Sequence, residues 1–238
     1  MIESWEVAQA VVGSLIAVAL GLLWFKRLQT AQRAEIKRPR QIFAEVLPLL
    51  DRVRFSSEQV AGVYALEGTY RGKEFHFKAI VDNLAPRKLP SLWLMVTLPA
   101  LQPVSQVLDM MMRPSGPTSF SNFDFLPHTL HVPSYFPPHA VMRSDQSAMP
   151  PSWAPISKLL PLFDENLGKE LLISPKGLRL VMLLAEANRA RYGVFRQADF
   201  GNAKVTESLA HMLLDAIIVL EGELAQEHSG SKNEENAR

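Results

Sequence analysis

The chain has 238 residues, with 25 Lys and Arg balanced by 24 Asp and Glu, and it contains no cysteine. The missing cysteine excludes thiol catalysis, thiolate metal sites and disulfides. The near-neutral charge argues against a nucleic-acid module, which needs a basic face or basic residues interleaved with exposed aromatics.

The first element is Val7 to Phe25, a run with no charged side chain. At a helical rise of about 1.5 Å per residue it matches the thickness of a bilayer's hydrocarbon core. Glu3 and Glu6 stand ahead of it, where a secretory signal would carry Lys or Arg. Lys26, Arg27, Arg33, Lys37, Arg38 and Arg40 follow it. The pattern predicts a flank over 1–6 and a permanent transmembrane helix over 7–25. Because basic residues stay on the cytoplasmic side, it also predicts a single-pass inner-membrane protein with its N-terminus outside and its C-terminal domain cytoplasmic. Gly13, Ala17 and Gly21 recur every fourth residue and form a smooth face for another transmembrane helix. The plainer reading is that Gly and Ala are common in such helices.

Residues 26–56 read as a basic juxtamembrane helical linker. Pro39 and Pro48 bend it, and Ile42, Phe43, Val46, Leu47, Leu50 and Val53 form a short amphipathic helix that docks on the domain. An α+β domain is expected over 57–226. Two alternating runs around Arg71-Gly72 predict a β-hairpin. Leu92 to Leu98 is apolar on both faces, as a covered central strand should be. Residues 110–161 hold ten of the seventeen prolines together with many aromatics. They predict an ordered but irregular segment with short strands near Leu130–Val132 and Ala140–Met142 and a helical turn near Lys158–Phe163. A second hairpin turns at Ser174-Pro175-Lys176-Gly177, and a strand is expected near Tyr192–Phe195. A long helix capped by Asn202 or Thr206 runs to Ala225, with Leu209, Leu213, Ile217 and Leu220 in its buried stripe. Residues 227–238 read as a disordered tail. The expected fold class is therefore α+β: an N-terminal transmembrane helix, then an antiparallel sheet with helices on one face and a long C-terminal helix.

Five features occur in this order after the anchor. They are a hairpin with a Tyr70-Arg71-Gly72-Lys73 turn, a Phe123-Asp124 element, a short strand ending Arg143-Ser144-Asp145, a second hairpin and a C-terminal helix. The arrangement resembles a class of uncharacterised bacterial single-pass membrane-anchored α+β domains. That resemblance implies the architecture and transfers no catalytic or binding residue.

No phosphate-binding loop, nucleophile elbow or His-Glu-x-x-His pair is present, and no cofactor or metal is expected. His128, His131 and His139 fall in the proline-rich segment with Asp124 and Asp145, a donor set of the kind zinc takes at a spacing that is not diagnostic. Glu207, His211 and Asp215 stack on one helix face, where carboxylates can hold an imidazole as a general base, or where all three simply face solvent. Leu214 and Ile218 lie about a third of a turn from the buried stripe and are candidates for a partner face. The expected function is a non-enzymatic interaction or scaffold protein. Its expected partners are the lipid bilayer and another membrane or envelope protein, or a second copy of itself. The alternative is a membrane-associated enzyme or lipid- and ligand-handling protein that uses the His-containing segment.

Overall fold

The computed structural model describes residues 20–21, 40–55, 63–82, 89–114, 118–164, 167–195 and 198–236. The chain divides into two units, Met1–Gln41 and Ile42–Arg238. Of the first, Leu20, Gly21, Arg40 and Gln41 are described, and all four are helical.

The second unit is built on nine strands: β1 (Asp51–Phe55), β2 (Val63–Tyr70), β3 (Lys73–Asp82), β4 (Ser91–Leu98), β5 (Leu108–Met112), β6 (His128–Leu130), β7 (Ala140–Ser144), β8 (Gly168–Ser174) and β9 (Gly177–Glu186). They form one sheet in the order β1-β2-β3-β4-β9-β8-β5-β7-β6, and every pairing is antiparallel. The helices described in full are α1 (Ala154–Ser157) and α2 (Pro161–Asp164), between β7 and β8, and α3 (Arg189–Phe195) and α4 (Glu207–Asn236), after β9.

Register explains the core. Directly opposed residues of antiparallel strands share a face. One row crosses all nine strands as Phe55, Leu66, Phe77, Val96, Leu180, Leu171, Met110, Met142 and Leu130. From Leu66 onward every member is buried. α4 lies across the central strands β4 and β9 on this face and buries Leu213, Leu214, Ile217 and Leu220 against them. Thr206 caps the helix by accepting from the Leu209 amide, and Glu45 accepts from the Glu207 amide. The hydrogen bond from Lys204, and then that from Glu207, hold the Glu45 carboxyl below its ordinary value.

The opposite face is mixed. Its rows include Glu67, His76, Thr97, Arg179, Leu172, Asp109 and Arg143, followed by Ala65, Lys78, Met95, Val181, Glu170 and Met111. Phe120 lies against it, packing with Ile80, Met95 and Val181 and stacking on Trp93 at 5.7 Å.

Several expectations are corrected. Among the described residues no helix is long and apolar enough to cross a membrane. The described fold is an antiparallel sheet with a C-terminal helix, so the fold class is corrected to that, and the single-pass membrane reading finds no spanning helix among the described residues. The span 7–25 lies outside the described residues apart from Leu20 and Gly21, and Gly13 and Ala17 fall outside with it. The amphipathic run ends early. Leu47–Leu49 is a 3-10 turn with Pro48 in its first positions, and Asp51 already begins β1. Its apolar set still packs inward, since Ile42, Phe43, Val46 and Leu50 are buried.

β5 lies where the irregular segment was expected to start. A strand buried on both sides shows no alternation, and the Arg113-Pro114 pair beside it read as a break. Tyr192–Phe195 belongs to helix α3 rather than a strand, initiated by Asn188, whose side chain accepts from the Arg191 amide. α4 continues through Asn236, because the polar tail contains no proline to stop it.

Candidate functional site

Two groups of polar side chains and one cavity stand out. The first group gathers the residues singled out on α4. Arg71 and Gly72 both have positive φ, 49° and 79°, so the β2–β3 loop is a two-residue turn of the primed class. This turn brings Tyr70 and Arg71 onto the helix. The Tyr70 hydroxyl donates to Asp215 Oδ1 at 3.0 Å, and His211 Nδ1 lies 3.1 Å from the same hydroxyl. Since the hydroxyl has one hydrogen, His211 must donate. Arg71 completes the set with an ion pair to Asp215 at 3.0 Å, while Glu207 stays 3.9 Å from His211. Burial, and then the bond to Asp215, push the Tyr70 hydroxyl above its ordinary value and keep it a donor. His211 and Asp215 thus fasten a hairpin turn to α4, and Glu207 does not take part. Tyr70, their common partner, gave no sequence signal beyond closing a strand.

The second group lies beneath the mixed face. Asp109 and Glu170 are 1% and 0% exposed. Arg179 reaches both Glu170 oxygens, at 3.1 and 3.2 Å, and Ser121 donates to Glu170. Asp109 Oδ1 has no hydrogen-bond partner. Burial, followed by the adjacent Glu170 charge, pushes Asp109 up to about 8, against the smaller opposing pull of Arg179. One signal was available for Asp109, a lone acid inside the apolar run Val107-Leu108-Asp109-Met110-Met111, and none for Glu170, which follows Lys169.

The cavity occupies about 510 Å³ at one end of the α4-covered face. Leu108 and Ile173, opposed across β5 and β8, form its floor. Ile156 of α1 and Leu224 of α4 make facing walls, and the 102–106 loop closes a third side with Val104. Such a volume and lining suit a small ligand with an apolar body. Gln102 and Gln106, 6% and 5% exposed, form the polar part of the wall. Gln102 donates to the Ala100 carbonyl at 2.9 Å, while Gln102 Oε1 and Gln106 Nε2 have no partner. Leu101 and Met149, next in sequence to lining residues Gln102 and Pro150, are 88% and 49% exposed, so apolar surface continues outside the cavity.

The other expected residues do not converge here. His128, His131 and His139 are all exposed, and none lines the cavity. Among the described residues the acid and imidazole groups close enough to share a metal are Glu67, Glu74 and His76. Arg54 already lies 3.5 and 3.3 Å from those two glutamates. Leu214, expected to be less buried than Leu213, is 0% exposed like it, and Ile218 is half-buried. The reason is that α4 is covered twice, by the sheet and by α1. Leu214 is a core residue and offers no docking face.

The geometry is an apolar cavity at one end of a helix-backed antiparallel sheet. No protein-family model matches the chain, and no curated protein matches it. Among solved structures it is similar to the crystal structure of the mycobacterial trehalose monomycolate transport factor A, TtfA, with 11% identity and a TM-score of 0.40. That match covers 77% of this chain and 96% of TtfA.

Proposed function

We propose that the domain is a non-catalytic binding module that holds the apolar part of a small ligand in the cavity beneath α4. The observation that carries this reading is the cavity of about 510 Å³, floored by Leu108 and Ile173 and walled by Ile156, Val104 and Leu224. The interaction role read from the sequence moves from the outer face of α4 to this pocket, because Leu214 belongs to the core. The ligand-handling alternative keeps the proline-rich segment, through Pro150, Pro155 and Ile156, but not its histidines. Decanol displacing an apolar fluorescent dye from the full chain tests the reading. One decanol bound per chain is expected, and Val104→Trp, which fills the cavity from a half-buried loop position, should abolish binding with the circular dichroism spectrum unchanged. Absence of binding, or equal binding by the variant, would refute it.

A further inference from the structure

The charge around the pocket narrows the ligand. Among the described residues no Lys or Arg lines the cavity, and Glu227 is the carboxylate that does. Glu227 lies on α4 one turn beyond Leu224, is half-buried, and has no ion-pair partner among the described residues. Glu223, one turn earlier, is already paired with Lys158 at 2.7 Å, and Glu221 with Lys73 at 2.9 Å. Lys158 and Lys73 are therefore committed to other acids. His228 also lines the cavity. Gln102 and Gln106 are uncharged and leave one acceptor and one donor, so they do not select by charge.

Resting on the pocket reading above, we infer that this site takes a cationic amphiphile, with its aliphatic chain between Ile156 and Leu224 and its ammonium head against Glu227. An ammonium group meets an unpaired carboxylate in a partly desolvated setting, where the attraction exceeds its value in bulk water. A fatty carboxylate or phosphate head would meet a like charge and, among the described residues, no Lys or Arg. Glu227 is the specificity-determining residue of this site, and the alkyl chain supplies the affinity common to all heads.

Matched ten-carbon probes separate the two claims. Decylammonium, decanol and decanoate are titrated into the full chain at pH 8, each below its aggregation threshold, in low and high salt. Decylammonium is expected to bind about fivefold tighter than decanol, the scale of a partly exposed ion pair, and decanoate weaker than both. Salt should narrow these differences. Glu227→Gln should bring decylammonium to the decanol value while leaving decanol unchanged, and Glu227→Lys should reverse the order. Decanoate binding as tightly as decylammonium would overturn the inference. So would a decylammonium preference that survives in Glu227→Gln. If decanol itself fails to bind, the pocket reading falls first. If decanol binds and the head charge makes no difference, the inference alone falls.

Discussion

Asp109→Asn is the sharpest test of the mixed face. In the folded chain Asp109 is buried beside Glu170 and its pKa is pushed up to about 8, against an ordinary value of 3.8. A raised folded value means the native state holds a proton that the unfolded chain has released. Its contribution to stability is complete below about pH 4 and is lost as pH rises through about 8. Between those limits the loss runs at about 1.4 kcal/mol per pH unit. Asparagine keeps the shape and the donor of the protonated acid but has no proton to lose. The variant should match the parent near pH 4 and be more stable by roughly 4 kcal/mol at pH 7, the accumulated loss of the parent over that span. Urea unfolding of both proteins at several pH values between 4 and 8 measures the difference directly. Taking the difference cancels the titration of groups common to both chains. If it stays flat with pH, or if the variant is less stable at pH 7, the buried-proton account is wrong.

Three further outcomes follow from the same geometry. Leu214→Asp places a charge at a position with 0% exposure, so it should cost several kcal/mol and collapse the thermal transition; a normal melting curve would return Leu214 to the surface. Tyr70→Phe removes the hydroxyl shared by Asp215 and His211, with an expected loss of about 1–2 kcal/mol in denaturant unfolding. The same loss in a background lacking Asp215 would show that the two are not coupled. Gly177→Ala would press a methyl group into the Leu98 carbonyl, with Pro99 Cα 3.3 Å away and φ at +154°. It should destabilise by about 2–3 kcal/mol, whereas Gly222→Ala, which meets nothing within 4 Å, should be neutral or stabilising by a few tenths.

Some of this protein was legible residue by residue. The period-2 alternation of Val63–Tyr70 and Lys73–Asp82, the turn at Arg71-Gly72 and the run Leu92–Leu98 dictate strands, because a pleated half-buried backbone sorts side chains by parity. The Ser174–Gly177 turn was readable too, although its glycine serves a close approach by the end of β4 rather than the turn dihedral itself. Helix α4 announced its buried stripe through 3.6-residue spacing, and Thr206 its start.

What periodicity cannot encode is which strand lies beside which. The β8–β9 hairpin inserts between β4 and β5, and this long-range pairing alone places Glu170 next to Asp109 and Ile173 opposite Leu108. It thereby creates both the buried acid pair and the floor of the pocket. The second cover on α4 was hidden for the same reason. Spacing along a helix tells which residues share a face, but how many faces are covered depends on the elements that pack there. Leu214 passed from candidate docking residue to core because the elements packed on α4 leave it 0% exposed. Local sequence determined the elements, and the order in which the strands pair decided where their polar residues meet.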